Sequence, residues 1–377
     1  MNIIYIGANG FPFGMATIQR QLLIAKGFVL QKNSCLVLTK FGLLDKQKKL
    51  KRKGETEGVR YLCASPVSYR PSNFIFRTLN KTFGSILETF YIIKNRKRNT
   101  KNILFSVRTS FISTVYYRLL SFLLGYKYVA DINEALGDNI DASLNDKLFD
   151  KYNKHLYDGV LLISDKLMNN YDNNIPKLKI PVICDISKLD EIKKITLSNF
   201  NLLYCASASY LETLKFVIEV FEKTILNTNL ILIVSGSENQ MKQVKQLIKK
   251  STKNNSIVLK SRIEYSELIG LYKGADLLLI PLPEIEQHKA RFPHKIAEYT
   301  ACKTPFLSNK WGEVINYFDN DNCFLADNYT IDNYVNILNG AISTTNQKIA
   351  DKAYEISKSH FDYKVLSSKI NTFLKEI

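Results

Sequence analysis

The residues best suited to chemistry lie in one run, Arg291-Phe292-Pro293-His294-Lys295-Ile296-Ala297-Glu298-Tyr299. Pro293 suits the first position of a helix, where no amide donor is needed. The amino end of such a helix offers N–H groups to a phosphate. Arg291 and Lys295 flank it and add positive charge where a diphosphate would sit. Glu298 lies one turn after Lys295, on the same face. A carboxylate has two acceptor oxygens, enough for both hydroxyls of a ribose. One helix would then hold both the diphosphate and the ribose of a nucleotide.

Positioning such a helix requires a framework, and the chain reads as alternating strands and helices. In the first half, strands are expected at Asn2–Ile6, Cys35–Thr39, Val59–Cys63, Asn102–Val107, Tyr126–Asp131 and Gly159–Ser164. A glycine-rich loop, residues 7–14, and a helix over Ala16–Leu30 follow the first strand. In the second half, strands are expected at Leu202–Cys205, Leu230–Val234, Ile257–Leu259, Asp276–Pro281 and Pro305–Ser308. Helices are expected over Thr213–Ile225, Gln240–Lys250, Tyr265–Tyr272 and Pro293–Cys302. The βαβα rhythm implies parallel sheets covered on both faces. The fold class is therefore α/β, with two facing Rossmann-like, doubly wound domains. The 377 residues suit two domains. These are expected at 1–185 and 186–360, with a hinge in 180–199 and a terminal helix over 361–377 that crosses back to the first. Ligands of such sheets bind beyond the carboxyl ends of the strands, so the site is expected in an interdomain cleft.

The motif residues resemble the family 4 retaining glycosyltransferases of the GT-B fold, which build bacterial capsules, O-antigens and exopolysaccharides. That family's pattern is a strand ending in Pro, a variable loop, (F/S)P-x-K-(L/I)-x-E-Y-x-A, then Pro and a new strand. This chain has Leu278-Leu279-Ile280-Pro281, then Phe292-Pro293-His294-Lys295-Ile296-Ala297-Glu298-Tyr299-Thr300-Ala301, then Pro305. Gly312-Glu313-Val314-Ile315, Leu232-Ile233-Val234-Ser235-Gly236, Ser266-Glu267-Leu268 with Tyr272 and Ala275-Asp276, and Gly10-Phe11-Pro12-Phe13-Gly14-Met15-Ala16 continue the likeness.

The resemblance implies roles for these residues. Glu298 would bind the donor ribose. Lys295, Arg291 and the helix amino end would stabilise the leaving diphosphate, where charge develops in the transition state; Pro293 and His294 would lie at the donor, His294 as a phosphate or sugar contact or else as an exposed helix residue. The backbone at Arg262 and Ile263 would face the base. Gly236 would lie at a donor-side strand end, and Gly14 would let the first loop approach the donor. Many relatives aim a His at the donor sugar; here Asn133 takes that place, in Asp131-Ile132-Asn133-Glu134. Glu134 is then the candidate acid or base on the acceptor side, or else a helix-start carboxylate.

The chain also departs from the family pattern. Ala290 stands where the family's first Glu would be. Lys303 replaces the usual Gly after the motif helix, which requires a left-handed residue there at roughly 1 kcal/mol. The usual basic pair aligns with Ser207 and Glu212, leaving Lys215 as either its substitute or a surface lysine. The resemblance implies no cofactor and no divalent metal, with the nucleotide-sugar as substrate. Asp319-Asn320-Asp321 has the letters of a metal motif but reads as a solvated turn. The four histidines, at 155, 288, 294 and 360, show no metal spacing.

Charge bears on partners. The net charge is +17, and the first hundred residues carry 18 Lys+Arg against 4 Asp+Glu, so an anionic surface is expected near that quarter. Phe76, Leu79, Phe83, Ile86, Leu87 and Phe90 recur at helical spacing before Lys94-Asn95-Arg96-Lys97-Arg98. This suits an interfacial helix on anionic lipid; the alternative is a core-facing helix with a solvated basic end. No apolar run reaches the ~18 residues of a membrane span, and Arg118 interrupts the longest candidate, residues 111–124. Met1 leads straight into the first strand without a basic leader or cleavage site. The six scattered cysteines suit reduced, buried thiols. The expected location is cytoplasmic, peripheral on the inner face of the membrane.

The leading expectation is a glycosyltransferase of hexosyltransferase type. It would move a sugar from a nucleotide-diphosphate sugar to a glycan or lipid-linked saccharide, with retention. A non-catalytic GT-B scaffold and a nucleotide-sugar epimerase are the alternatives. No nucleic-acid partner is expected, since the aromatics sit at helical spacing rather than on a base-stacking module.

Overall fold

The computed structural model describes all residues except 8, 15, 44–50, 136, 138–141, 173, 225–227 and 343–346. Ala8 and Met15 of the first loop, and Ile225 at the expected end of a helix, lie outside the described residues. The chain forms two compact units. One comprises Met1–Ile183 with Tyr363–Ile377, the other Cys184–Asp362.

The first unit runs β1 (Asn2–Ile6), α1 (Ala16–Leu30), β2 (Ser34–Thr39), β3 (Lys53–Thr56), β4 (Val59–Cys63), α2 (Phe74–Lys94), β5 (Asn102–Val107), α3 (Phe111–Leu124), β6 (Lys127–Ile132), α4 (Leu144–Tyr152), β7 (Gly159–Leu162), α5 (Asp165–Asn170) and β8 (Lys177–Lys179). Its eight strands lie in the order β3-β4-β2-β1-β5-β6-β7-β8. Every pairing is parallel except β3 with β4. That antiparallel edge strand is added to the expected parallel sheet. Glu57 and Gly58 both take positive φ, 47° and 80°, the geometry of a tight hairpin turn. The hairpin strand, Lys-Gly-Glu-Thr, is polar and lies on an exposed edge, so no apolar pattern marks it.

The second unit runs α6 (Ile186–Asp190), β9 (Phe200–Ser207), α7 (Leu211–Glu222), β10 (Thr228–Ser235), α8 (Glu238–Lys250), β11 (Ile257–Lys260), α9 (Tyr265–Gly274), β12 (Leu277–Leu279), α10 (Glu286–Lys289), α11 (Lys295–Ala301), β13 (Phe306–Asn309), β14 (Phe324–Ala326), α12 (Ile331–Ile342) and α13 (Gln347–Ile356). Its six strands are all parallel, in the order β11-β10-β9-β12-β13-β14. The last helix, α14 (Tyr363–Glu376), belongs to the first unit.

The cores follow from the strand sequences. All five residues of β1, Asn-Ile-Ile-Tyr-Ile, are buried, as a central parallel strand requires. Right-handed crossovers put α1 on one face of the first sheet and α2 and α3 on the other, because the chain moves outward from β1 in opposite directions. On the α1 face, Leu366, Ile370 and Leu374 of α14 join Leu22, Ile24 and Phe28 of α1 over Tyr5 and Phe105. In the second unit Leu214, Val217 and Phe221 of α7 and Tyr334 and Leu338 of α12 pack on β9 and β10.

The opposite face of the first sheet is built differently. The inward stripe of α2 is Asn80, Gly84, Glu88 and Ile92. Gly84 is required there, since a Cβ would lie 2.3 Å from the Lys40 carbonyl oxygen. Glu88 accepts from the Tyr117 hydroxyl of α3 at 2.6 Å and sits 3.8 Å from Lys40. Phe76, Leu79, Phe83, Ile86, Phe90 and Ile93 point outward and are exposed. The inward stripe of α3 is Thr114, Tyr117, Leu120 and Ser121, while Ile112, Tyr116, Leu119, Phe122 and Leu123 are exposed. The structure thus decides against a core-facing apolar side of α2, and α3 repeats the inversion.

One buried ion pair ties the first unit together. The Arg20 guanidinium on α1 donates from Nε and Nη2 to the two oxygens of Asp131 on β6, both at 2.8 Å. It also donates to the carbonyls of Ile180 and Pro181. Both side chains are almost wholly buried. Arg20→Met should destabilise the protein by about 3–5 kcal/mol by leaving the Asp131 charge buried and unpaired. Urea unfolding followed by near-ultraviolet circular dichroism reads this, and a change below 1 kcal/mol would refute the role given to the pair.

Candidate functional site

The second unit gathers its chemistry at the carboxyl edge of its sheet. The chain leaves β9 toward β10 and leaves β12 toward β13, so the strand order reverses between β9 and β12. Such a switch point opens a crevice at the strand ends. The segment after β12 carries Arg291, Pro293, His294, Lys295 and Glu298, all on α11 or just ahead of it.

Lys295, the first residue of α11, donates its ammonium to the Cys205 carbonyl near the end of β9. No described carboxylate pairs with it. Arg291 donates from Nη1 to the Tyr210 hydroxyl at 3.1 Å, and its guanidinium lies over the Tyr210 ring. Tyr210 opens α7 directly after β9. Two cations and one aromatic ring therefore meet the end of one strand.

Glu298 is buried, and its Oε1 accepts from the Tyr265 hydroxyl at 3.0 Å. Burial pushes its carboxyl up to about 7, against the opposing pull of the Tyr265 hydrogen bond and the Lys295 charge. Tyr265 opens α9, so its hydroxyl brings the loop after β11 to the motif helix. That loop holds Arg262, which is exposed and left-handed at φ 55°, and the half-buried Ile263. Gly236 follows β10. A Cβ there would come within 2.6 Å of the Ala208 Cβ, so the glycine lets the ends of β9 and β10 close up.

The helix itself starts later than expected. Pro293 is not its first residue: α11 begins at Lys295 and has seven residues. The Pro293 carbonyl accepts from the Ile296 amide, and the His294 carbonyl accepts from Ala297. These three-residue bonds make a tight turn that holds Pro293 outside the α-helical ladder. His294 takes the cap position without a side-chain capping bond. Lys303 is left-handed at φ 54°, as the missing glycine requires. Lys215 lies on an exposed helix face beside Glu219, which favours the surface-lysine reading. Asp319 accepts from the Asp321 amide and from Asn322, a turn as expected.

The first unit holds the remaining candidates. Asn133 follows β6, and its Nδ2 lies 3.4 Å from Asp131. Its Oδ1 is buried without a partner among the described residues. Glu134 is half-buried beside it. Gly14 is exposed, but its side is occupied, because a Cβ would meet Ile18 at 2.3 Å. Packing at the start of α1 accounts for this glycine. Tyr210, Tyr265 and the Cys205 carbonyl were not singled out from sequence. A tyrosine opening a helix gives no sign of where its hydroxyl reaches.

Comparison with known proteins agrees with this geometry. Residues 185–358 match the family model described as Glycosyl transferases group 1. No curated protein matches the chain. Sucrose-phosphate synthase from Thermosynechococcus elongatus is similar at 12% identity and a TM-score of 0.76, covering 100% of this chain and 98% of that one. Anabaena HepE, solved in complex with UDP and glucose, is similar at 16% identity and a TM-score of 0.73, covering 100% of both chains. A glycosyltransferase from Rickettsia africae is 16% identical with a TM-score of 0.74, covering 100% of this chain and 98% of that one. The sheets and the motif helix thus lead to one conclusion: the chain is a glycosyltransferase of the GT-B fold, with a group 1 glycosyl transferase domain over residues 185–358.

Proposed function

We propose that the chain moves a sugar from a nucleotide-diphosphate sugar to a glycan or lipid-linked saccharide in surface polysaccharide synthesis, with retention and without a metal. The observation that carries this reading is the pairing on α11. Lys295 is a cation at the switch point without a carboxylate partner among the described residues, and the Glu298 carboxyl lies one turn behind it. The binding of UDP and glucose by HepE supports a nucleotide-sugar donor.

In this reaction the bond from the anomeric carbon to the β-phosphate oxygen breaks. Its electron pair leaves with the nucleoside diphosphate. A new bond forms to an acceptor hydroxyl, which gives up its proton. Lys295 and Arg291 stabilise the departing charge, the task usually given to a divalent cation. Glu298 accepts the ribose hydroxyls, and the backbone at Arg262 and Ile263 meets the base. Gly236 lets the donor-side strand ends approach each other closely, while Pro293 and His294 shape the turn before Lys295. Asn133 is assigned to a sugar hydroxyl and Glu134 to the acceptor proton. Gly14, whose side packs against Ile18, belongs to the first loop, whose backbone approaches the donor.

The acceptor reading includes the inner membrane surface. Exposed apolar side chains on α2 and α3 form adjoining stripes, linked where the Thr89 and Tyr116 hydroxyls meet at 2.5 Å. Ile112 is 78% exposed, and Phe122 and Leu123 are 76% exposed. Lys94, Lys97 and Arg98 are exposed at the end of α2. No described helix is long and apolar enough to cross a membrane, so these stripes suit the interface.

The donor reading is tested by thermal shift with UDP, GDP, CMP and their sugars. A ligand at ~100 times its dissociation constant stabilises by about 2.7 kcal/mol. One nucleotide class should give this shift, and Glu298→Ala should lose it; an unchanged shift in that variant removes the assigned site.

The Glu298 carboxyl adds a pH dependence. Below pH about 7 the unliganded site holds a neutral acid that must lose its proton to accept two hydroxyls. Affinity for the nucleotide-sugar that binds should therefore rise toward about tenfold per unit as pH increases to 7, then level off. Glu298→Gln should bind more weakly with a flat profile. Calorimetry from pH 5.5 to 8.5 checks this, and a wild-type profile matching the variant's would contradict it.

Membrane docking is read by flotation with phosphatidylglycerol vesicles. Phe122→Asp with Leu123→Asp should abolish it. Removing Lys94, Lys97 and Arg98 together should weaken it more than tenfold, at about 1 kcal/mol per charge. Undiminished flotation of both variants would end the membrane reading. A dimer dissociated by the aspartates would do the same, by giving the stripe to a second copy.

A further inference from the structure

Two cavities adjoin at the amino end of α2. The larger, about 690 Å³, is lined on one side by Phe76, Leu79 and Phe83, and elsewhere by Pro66 and Val67. This volume lies within the roughly 300–1,000 Å³ typical of small-molecule sites. The smaller, about 130 Å³, is lined by Arg70, Arg77 and Lys81. Arg70, Pro71 and Asn80 line both. Asn80 is buried and holds the Val67 backbone from both sides of its amide, accepting from the nitrogen at 3.2 Å and donating to the oxygen at 3.4 Å. The wall is therefore built by a specific contact rather than left by loose packing.

The charge balance here is one-sided. Arg77 lies over the Phe74 ring and Lys81 over the Phe41 ring. Among the described residues no carboxylate pairs with Arg70, Arg77 or Lys81. Between Glu57 and Asp131 the only acidic residue is Glu88. It is buried and already engaged with Lys40 and Tyr117. Three cations in a small cavity beside an apolar one match a ligand with a compact, multiply charged anion on a long apolar chain.

We propose that this pair of cavities binds one molecule of a lipid phosphate, a phosphate or diphosphate ester of a long-chain alcohol. The phosphate oxygens meet Arg70, Arg77 and Lys81. The first carbons of the chain run along Phe76, Leu79 and Phe83. Three cations suit the two or more charges of a phosphate monoester or a diphosphate better than the single charge of a bilayer phosphodiester. The inference rests on the lipid-linked acceptor reading, and it gives that acceptor a handhold on α2 separate from the sugar-transfer chemistry. The exposed side of α2 continues from the cavity, so a lipid anchored there stays continuous with the membrane surface.

The test uses the full chain and farnesyl phosphate below its micelle concentration, with farnesol and inorganic phosphate as comparison probes, read by calorimetry. Farnesyl phosphate should bind at least tenfold more tightly than either probe. Arg70→Gln with Arg77→Gln should weaken it at least tenfold while most vesicle flotation remains. Phe122→Asp with Leu123→Asp, on a helix that lines neither cavity, should abolish flotation and leave farnesyl phosphate binding intact. Farnesol binding as tightly as its phosphate, or a double glutamine variant that binds like wild type, overturns the site. Vesicle flotation without farnesyl phosphate binding overturns it as well, while sparing the membrane reading on which it rests.

Discussion

A parallel sheet leaves backbone carbonyls that its own ladder does not use near the carboxyl ends of its strands, and both units anchor charged side chains there. In the first unit the Arg20 fork on Asp131 also takes up the Ile180 and Pro181 carbonyls. In the second, Lys295 takes up the Cys205 carbonyl. Neither charge is free to wander, because its position is written into strand-end geometry. The consequence for chemistry is direct. A cation already oriented at a switch point needs little reorganisation when a diphosphate arrives, and such preorganisation is what makes electrostatic stabilisation effective.

The Glu298 carboxyl shows the reverse side of the same arrangement. Burial lifts it to about 7, while Tyr265 and Lys295 pull the other way. A carboxylate poised near neutrality answers to its neighbours. Filling the site with a polar ligand would change that balance more than it could for an exposed glutamate. The protein keeps one acceptor oxygen engaged by Tyr265, so the side chain is oriented before any ligand binds.

Much of the fold is legible in the sequence because burial on both faces leaves unbroken apolar strands such as β1, β9 and β10. The motif around Lys295 is legible because charge and helix spacing coincide in nine residues. What stays hidden has physical causes. β3 is a polar edge hairpin, so no periodicity marks it. Tyr265 and Tyr210 act through contacts more than thirty residues away along the chain, which local pattern does not encode. The start of α11 differs from the expected one because proline fits the first helical position generally, while here a three-residue turn excludes it.

The inversion of α2 and α3 marks the limit of periodicity as evidence. A helical repeat of Phe76, Leu79, Phe83, Ile86 and Phe90 predicts an apolar stripe but not which way it faces. Contact geometry decides. Gly84 admits the backbone of α2 to the Lys40 carbonyl, an approach no side chain would allow. Glu88 then lands beside Lys40 and Tyr117, with its carboxyl pushed up to about 7 by burial. Turning the helix to bury its phenylalanines would forfeit both contacts and expose the stripe of Asn80, Gly84, Glu88 and Ile92. Leaving large apolar side chains in water forgoes roughly 1.5–3 kcal/mol for each one that could be buried. The same loss on two neighbouring helices is the physical ground for the proposal that a membrane surface covers them. The two cavities at the start of α2 lie where that cover would begin.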